Sequence, residues 1–242
     1  MTSFSRPAQN HMPLYVQLAH KISKAIQKGE FRPNEALPAE RVLAEKFSVS
    51  RVTARAAIKQ LAHQGMVVSR RGSGNYITPI LEQPLSRLAS FSEELQNSGY
   101  TPGSRWLQRT ISLANTDELL GLNLLPGARV ARMERLRLAG NVVMAHEVSA
   151  LPASILPDPM AVAGSLYAHL ALRNLSPTRA RQHIRAVNAN ARLAEQLGLP
   201  EHHAVLFIAR LGYSPSNQVV ELTHSYCRSE YYDFFTEMQR EN

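Results

Sequence analysis

The sequence predicts an α+β protein of two domains: a small helical domain that ends in a β-hairpin, and a larger domain with helices on an antiparallel sheet. Three observations lead to this prediction. Residues 37–76 read as two short helices around a turn, followed by a glycine-rich hairpin. The formal net charge of +8 is confined to the first 80 residues. Residues 130–149 and 204–228 read as two hairpins of alternating polarity, each preceded by a helical segment.

Charge divides the chain into two parts. Residues 1–80 hold 12 basic and 4 acidic side chains, whereas residues 81–242 hold 15 of each sign. A basic domain joined to a neutral one indicates polyanion binding by the first and a different task for the second. We expect a first domain at 1–80, a proline-containing linker at 81–85 and a second domain at 86–242.

The first domain begins with two predicted helices. An apolar side chain recurs at every fourth position from Leu14 to Ile26, which predicts one apolar helix stripe. Pro38 suits the start of the second helix, where a missing N–H costs nothing. Leu43 faces inward in this helix and Arg41 faces outward.

The third helix carries a basic stripe. Its basic face holds Arg51, Arg55 and Lys59, and its apolar face holds Ala54, Ile58 and Leu61. Ser50 is the predicted N-cap. Arginines in the first turns of such a helix can grip guanine O6 and N7. The stripe alone also fits a solvated helix face, but a hairpin with a glycine-rich tip at 71–74 follows it. Together they favour duplex DNA as the ligand.

The run LPAERVLAEKFSVSRVTARAAIKQLAHQGMVVSRRGSGNYI, with PLYVQLAHKISKAIQKGEF before it, resembles the winged helix-turn-helix of GntR-type bacterial transcription regulators. The resemblance covers about residues 12–78. It implies that three arginines, Arg41, Arg51 and Arg55, make the main DNA contacts. It also implies that Ser50 and Thr53 contact phosphates and that Gly74 lies at the wing position near the minor groove. It also implies a homodimer on a near-palindromic operator. Ala39 stands where the family usually has serine. The predicted DNA-binding residues are Arg41, Ser50, Arg51, Thr53, Arg55, Lys59, Arg71, Gly72 and Gly74.

The second domain contains two similar segments. Strands are predicted at 130–138, 142–149, 204–213 and 219–228, and the phrases Leu120-Gly121-Leu122 and Leu197-Gly198-Leu199 precede the two hairpins. This pattern indicates a weak duplication of a helix-then-hairpin unit. The single cysteine, Cys227, excludes a disulfide framework, and we interpret it as a strand residue.

Two GntR subclasses fit the second domain poorly. One has an all-helical domain with a metal-binding Asp/His set, whereas this chain has strands and no histidines at ligand spacing. Another carries an aminotransferase-like domain that needs a Schiff-base lysine, and residues 81–242 contain no lysine. Residues 86–236 instead resemble the UTRA effector-binding domain of the HutC subfamily, through the phrase Leu88–Leu95, the segment Glu134–Arg137 and the tail Tyr226–Phe234. That resemblance implies a chorismate lyase-like fold used for binding, without a metal or a cofactor.

Arg135 and Arg137 are the strongest candidates for ligand binding. Residues two apart on a strand point to one face, roughly 7 Å apart, so both guanidinium groups could hold one phosphate or carboxylate. Taken singly, the two arginines are also consistent with solvent-exposed positions on one face of a sheet. Ser165 is a predicted helix N-cap, and Glu147 and Glu221 could accept hydrogen bonds from sugar hydroxyls. With the resemblance included, the predicted effector-binding residues are Ser92, Arg135, Arg137, Glu147, Ser165, Tyr167, Glu221, Tyr226 and Tyr231.

The tail Ser229–Phe234 resembles regulators of N-acetylglucosamine catabolism, which favours an amino-sugar phosphate, either N-acetylglucosamine-6-phosphate or glucosamine-6-phosphate. The predicted function is a cytoplasmic, nucleoid-associated repressor without a membrane segment. Alternatives are a regulator that answers to another anion (urocanate, another sugar phosphate or a phosphonate), a constitutive DNA-binding protein with a vestigial pocket, or an enzyme with a lyase-like domain. Residue spacing reveals no acid–base pair or nucleophile for the enzyme.

Overall fold

The computed structural model describes residues 12–27, 30–31, 35–64, 66–70, 73–78 and 81–240. The chain divides into two compact units, unit 1 at Met1–Pro79 and unit 2 at Ile80–Asn242. Arg71 and Gly72 of the predicted hairpin tip lie outside the described residues. Within the described ranges, no helix has the length and apolar character needed to cross a membrane.

The described residues of unit 1 form three helices and one hairpin, in the predicted order. The elements are α1 (Leu14–Gln27), α2 (Glu40–Lys46), α3 (Arg51–His63), β1 (Val67–Arg70) and β2 (Gly74–Ile77). The two strands pair antiparallel, with Val67 opposite Ile77 and Arg70 opposite Gly74. The hairpin therefore follows the third helix directly, as the sequence predicts.

The core of unit 1 is built from the apolar faces of its helices. Ile22 of α1, Leu43 of α2 and Leu61 of α3 are fully buried, and Ala54 and Ile58 pack with them. Because this face of α3 is buried, the basic side chains on its opposite face lie on the surface. The stripe predicted on α1 begins one turn too early, because Leu14 is 55% exposed at the start of the helix.

Unit 2 is built on a six-stranded antiparallel sheet of order β4-β5-β6-β9-β8-β7. Its strands are β4 (Pro102–Leu113), β5 (Arg129–Ala139), β6 (Val142–Pro152), β7 (Arg179–Asn188), β8 (Ala204–Tyr213) and β9 (Val219–Arg228). Its helices are α4 (Phe91–Asn97), α5 (Thr116–Leu122), α6 (Leu166–Ala171) and α7 (Ala191–Leu197). The bounds of β8 and β9 coincide with the predicted hairpin at 204–213 and 219–228.

The sheet consists of two β-α-β-β repeats that meet at its centre. The first repeat is β4-α5-β5-β6 and the second is β7-α7-β8-β9, and β6 pairs antiparallel with β9. Asn115 and Asn190 cap the two helices in the same way, each accepting a backbone N–H three residues later. Both helices end at a left-handed residue, Asn123 or Gly198. The repeated unit is thus longer than the helix-then-hairpin unit that the sequence indicates, since each repeat begins with an additional strand.

The segment 81–84, which the sequence assigns to a linker, is a strand of unit 2. Strand β3 (Leu81–Pro84) pairs in parallel with β10 (Tyr232–Phe235), and this pair forms a small sheet of its own. Pro84 is compatible with it because β3 has only one neighbouring strand, so one side of its backbone makes no ladder hydrogen bonds. Leu81 is fully buried and adds to the core beside α4.

Candidate nucleic-acid interface and candidate binding cavity

The basic side chains predicted to bind DNA lie on the surface of unit 1. Arg41, Arg51, Arg55 and Lys59 are all exposed. Arg51, Arg55 and Lys59 lie on one side of α3, because residues four apart share one side of a helix. Val52, which is 76% exposed, lies on the same side. An exposed apolar side chain on such a helix can contact a thymine methyl group, so we add Val52 to the candidates.

The start of α3 is fixed by its cap. The hydroxyl of Ser50 accepts a hydrogen bond from the backbone N–H of Thr53 (3.0 Å), and the two hydroxyl groups lie 2.8 Å apart. The sequence prediction of this cap is confirmed. Ser50 and Thr53 therefore lie at the N-terminal end of α3, beside Arg51. Hydroxyl groups at this position can also reach phosphate oxygens.

Arg55 is held in place by a residue that the sequence pattern does not single out. Its Nε donates to both carboxylate oxygens of Glu40 (3.0 Å each), and its Nη2 donates to Oε2 (2.9 Å). These hydrogen bonds lower the pKa of Glu40 and raise that of Arg55. Glu40 lies on α2, so the ion pair orients the guanidinium group from the neighbouring helix. Glu40 lies 15 residues before Arg55 in the sequence, and no helical repeat relates two positions at that spacing.

The tip of the hairpin carries one conformation suited to glycine. Gly74 has φ of +110°, which residues with a side chain rarely adopt, and nothing lies within 4 Å of the position of a Cβ atom there. The backbone at Gly74 is therefore open to close approach. The other predicted tip residues, Arg71 and Gly72, stay predictions.

A polar cavity lies on one face of the sheet in unit 2. Alternate residues of β5, β6 and β9 line it, because successive side chains of a strand point to opposite faces. Of the predicted effector-binding residues, the lining includes Arg135, Arg137, Glu147, Ser165, Tyr167 and Glu221. The structure thus brings together six side chains that are up to 86 positions apart in the sequence.

Arg135 forms a buried ion pair across the first hairpin. It lies opposite Glu147 in the β5–β6 register, and its Nε donates to Oε1 at 2.7 Å. Its Nη1 donates to the carbonyl oxygen of Gly164 at 2.8 Å, which connects the sheet to the loop before α6. Burial alone would raise the pKa of Glu147, but Arg135 and Arg137 hold it below its ordinary value. Glu147 is therefore a carboxylate in the folded protein.

Arg137 is a buried cation whose hydrogen bonds, among the described residues, go to hydroxyl groups. It is 2% exposed, and its Nη1 and Nη2 donate to the hydroxyl groups of Ser104 (2.8 Å) and Ser92 (2.9 Å). The ring of Phe91 lies 4.3 Å from the guanidinium carbon. Within the described part of the chain, its Nε has no hydrogen-bond partner. Burial, helped by the charge of Arg135, lowers the pKa of Arg137 to about 10. Ser92 thus acts on the cavity through Arg137.

A second cluster of polar groups lies where α6 meets β9. Ser165 caps α6 by accepting the N–H of Ala168 (3.2 Å), and the Tyr167 hydroxyl donates to Glu221 Oε1 (2.5 Å). Burial raises the pKa of Glu221, against the opposing effect of Arg210. Thr223 donates to the second oxygen of Glu221 at 3.2 Å. This cluster offers hydroxyl and carboxyl groups to a polar ligand.

Gln83, Glu94 and Arg210 also line the cavity, and the sequence pattern misses all three. The amide of Gln83 donates to Glu94 Oε2, and burial raises the pKa of Glu94 to about 7. Arg210 donates to Gln182 (2.9 Å) and to the carbonyl oxygen of Ala89 (3.2 Å). A usable signal existed for Arg210 alone, since it faces Thr223 in the β8–β9 register and Thr223 shares a face with Glu221.

Tyr226 and Tyr231 do not line this cavity. Tyr226 is five residues from Glu221 on β9, and an odd separation places two side chains on opposite faces of a strand. Its ring lies near His146 and Phe207 on the other face of the sheet. Tyr231 is 3% exposed and packs in the core, where Arg228 lies 4.4 Å from the centre of its ring. Placing these tyrosines around a ligand ring in the cavity is therefore wrong.

Breaking the Arg135–Glu147 pair is expected to destabilise unit 2. The change Arg135→Met leaves a buried carboxylate unpaired, which costs about 3–5 kcal/mol of unfolding free energy. The double variant Arg135→Met/Glu147→Met should recover most of this loss, because neither charge remains. Urea unfolding followed by the fluorescence of the single tryptophan, Trp106, measures both. A single variant as stable as the double one would contradict the prediction.

The described residues contain no group of three or more His, Cys, Asp or Glu side chains placed to hold a metal ion. The polar side chains that line the cavity are mainly arginines, carboxyl groups and hydroxyl groups. Such a set can bind a small polar anion and orient its other substituents.

Comparison with known proteins assigns both units. Residues 14–77 match the model of bacterial regulatory proteins of the gntR family, and residues 97–233 match the UTRA domain model. The HTH-type transcriptional repressor NagR of Bacillus subtilis (strain 168) is 32% identical over 96% of this chain and 97% of its own length. The HTH-type transcriptional regulator GgaR of Escherichia coli (strain K12) is 28% identical over 95% of this chain and 93% of its own.

Solved structures agree with this assignment. PhnF from Mycobacterium smegmatis superposes with a TM-score of 0.65 at 26% identity, and the match covers 93% of this chain and all of that one. The effector domain of PhnF alone matches 66% of this chain with a TM-score of 0.61 at 25% identity. The matched families and relatives are transcription regulators and not enzymes. The chain belongs to the GntR family of bacterial transcription regulators, in the class that carries a UTRA domain.

Proposed function

We propose that this regulator is a repressor that binds a near-palindromic operator as a homodimer and releases it when a small phosphorylated effector occupies the cavity of unit 2. The effector that fits best is an amino-sugar phosphate, such as glucosamine-6-phosphate or N-acetylglucosamine-6-phosphate. The protein would then act at the nucleoid in the cytoplasm. The operator contacts are assigned to Arg41, Arg51 and Arg55, with Lys59 beside them.

The observation that carries the proposal is the state of Arg137. A charged guanidinium group that is buried with only neutral hydrogen-bond acceptors is unfavourable, because it has lost its hydration and gained no direct salt bridge. Ser92 and Ser104 supply only neutral acceptors. A phosphate beside Arg137 would supply the missing charge and an acceptor for its Nε. Arg135, two residues away on the same face, is already paired with Glu147 and would add a second positive charge.

The rest of the cavity favours a carbohydrate as the remainder of the ligand. The carboxylate of Glu147 can accept hydrogen bonds from hydroxyl and amino groups, and the hydroxyl of Tyr167 and the carboxyl group of Glu221 can accept or donate them. The similarity to NagR and the tail Ser229–Phe234 support an amino sugar. The relative called mannosyl-D-glycerate transport/metabolism system repressor MngR, from Escherichia coli (strain K12), is 28% identical over 96% of this chain, which also supports a sugar-derived anion.

Release follows if the effector binds unequally to the two forms of the dimer. A ligand shifts an equilibrium only by its difference in affinity for the two states. In this proposal the effector binds more tightly to the form whose two unit 1 copies do not fit the operator half-sites. A constitutive DNA-binding protein would show no such difference.

A thermal-shift screen tests the effector. We expect glucosamine-6-phosphate or N-acetylglucosamine-6-phosphate to raise the melting temperature, because a ligand that binds only the folded state stabilises it. Glucosamine without phosphate is the matched control and should leave the melting temperature unchanged. Urocanate, trehalose-6-phosphate and a phosphonate complete the screen. A response to one of these alone would replace the amino-sugar phosphate, and no response to any would refute an effector of this class.

A further inference from the structure

Glu94 differs from the other two carboxyl groups of the cavity in its hydrogen-bond partners. Glu147 accepts from the charged guanidinium group of Arg135, and Glu221 accepts from a hydroxyl group on each of its oxygens. The Oε2 atom of Glu94 accepts from the amide of Gln83, which carries no charge. Among the described residues, Glu94 is thus the cavity carboxyl group that has neither a direct ion pair nor a donor on each oxygen.

Burial makes the Glu94 carboxyl group responsive to a positive charge beside it. Glu94 is 7% exposed, and burial raises its pKa to about 7, although the charges of Arg210 and Arg87 lower it. Arg210 directs hydrogen bonds to Gln182 and to the carbonyl oxygen of Ala89. Near neutral pH the group is therefore divided between its protonated form and the carboxylate. A cation in direct contact would hold it in the carboxylate form, because a close opposite charge favours the charged state.

Glu94 lies within reach of a ligand that is bound at Arg137. Phe91 and Glu94 are three residues apart on α4, so they share one side of that helix and are offset by roughly 4.5 Å along it. The centre of the Phe91 ring lies 4.3 Å from the guanidinium carbon of Arg137, and all three residues line the cavity. In an amino-sugar 6-phosphate, the carbon that bears the nitrogen lies across the ring from the carbon that bears the phosphate arm. A phosphate at Arg137 can therefore place the nitrogen substituent beside Glu94.

We propose that Glu94 binds the protonated amino group of glucosamine-6-phosphate and makes this compound the preferred effector over N-acetylglucosamine-6-phosphate. This inference rests on the proposed function, since it takes the phosphate to lie at Arg137. The amide nitrogen of the N-acetyl compound carries no positive charge, so it forms no ion pair with Glu94. Arg137 binds the phosphate that both compounds share, and Glu94 selects between them.

Calorimetry on the full-length chain tests the selection with glucosamine-6-phosphate, N-acetylglucosamine-6-phosphate and glucose-6-phosphate. We expect the wild-type chain to bind the first compound about tenfold more tightly than the other two, because a charge-assisted hydrogen bond is stronger than a neutral one. Glu94→Gln keeps the size of the side chain and removes its charge. It should bind glucosamine-6-phosphate more weakly and the other two compounds as wild type does, which also shows that the variant is folded. Glu82→Gln, exposed on β3, is the control and should bind all three as wild type does.

The ratio of the affinities for glucosamine-6-phosphate and glucose-6-phosphate gives a second readout, because the titration of the shared phosphate cancels in it. The raised pKa of Glu94, about 7, means that its carboxylate is present above this pH and is lost as the pH falls through it. The ratio should therefore fall about fivefold or more from about pH 7.5 to about pH 6 in wild type, and stay constant in Glu94→Gln.

The other titratable groups near Glu94 do not produce this pH dependence. Burial raises the pKa of Cys227 to about 12 and raises the pKa of Tyr232 well above its ordinary value, so both keep their protons. Glu93 accepts from the backbone N–H of Ser90 and is not part of the cavity lining.

Several results would overturn the role of Glu94 and leave the proposed function standing. These are equal wild-type affinities for the two amino-sugar phosphates, a preference that survives Glu94→Gln, loss of all three compounds by that variant, or an affinity ratio that does not change with pH. A wild-type chain that binds neither amino-sugar phosphate would instead remove the proposed function and this selection together.

Discussion

Operator binding is expected to disappear when Arg51 or Arg55 is replaced by alanine, while effector affinity stays unchanged. A bidentate arginine–guanine contact is worth about 1–3 kcal/mol of discrimination. The proposed homodimer would lose it at both half-sites, so affinity should fall roughly 30-fold to more than 10⁴-fold. Fluorescence anisotropy with a labelled promoter fragment measures the operator affinity of each variant, and calorimetry measures its effector affinity.

Arg181→Ala is the charge-matched control, because Arg181 is an exposed arginine on β7 of unit 2. It should bind the operator as wild type does. Affinity of the wild-type chain should also fall steeply as salt rises, since phosphate contacts release counterions. Equal losses in all three variants, or an affinity independent of salt, would show that α3 does not carry the DNA contacts.

Replacement of Arg137 by methionine is expected to give a repressor that binds its operator and no longer responds to effector. The variant loses a charge-assisted contact with the phosphate, so effector affinity should fall by about 100-fold or more. It also loses a buried charged group whose Nε has no hydrogen-bond partner within the described residues. Replacing buried charges with well-packed apolar side chains is often neutral or stabilising. The urea midpoint of the variant should therefore be equal to or higher than that of wild type.

The combination of lost effector binding with retained stability distinguishes a binding role from a structural one. Arg181→Met provides the matched control and should change neither property. Effector affinity that survives Arg137→Met would place the anion elsewhere in the cavity. A large drop in the urea midpoint would instead identify Arg137 as a structural residue.

Local patterns predict those parts of the fold whose determinants lie close together in the sequence. The cap at Ser50 follows from the helix that begins at Arg51, and the period of α3 separates its basic face from its buried face. The hairpin β8–β9 follows from two alternating runs around a turn. The shared face of Arg135 and Arg137 follows from their two-residue spacing, and both line the cavity.

Other features depend on contacts between distant segments. The edge strands β4 and β7 are not predicted, because neither contains a fully buried side chain and each is separated from its partner strand, β5 or β8, by a helix. Prolines at 79 and 84 suggest a linker, yet β3 forms because β10 supplies its partner. Gln83 reaches Glu94 only through the packing of β3 against α4, which no repeat in the chain encodes. The pairing of Arg55 with Glu40 likewise depends on how α2 and α3 pack.

The pairing of β6 with β9 has a consequence for how such a sheet can arise. Either β-α-β-β repeat taken alone would expose its last strand as an open edge, with unpaired N–H and C=O groups along it. A second copy of the same repeat could fill that edge with the same antiparallel geometry. A single-chain sheet of this order is therefore what fusion of a self-associating half-length ancestor would produce, with the stretch between residues 152 and 179 as the seam.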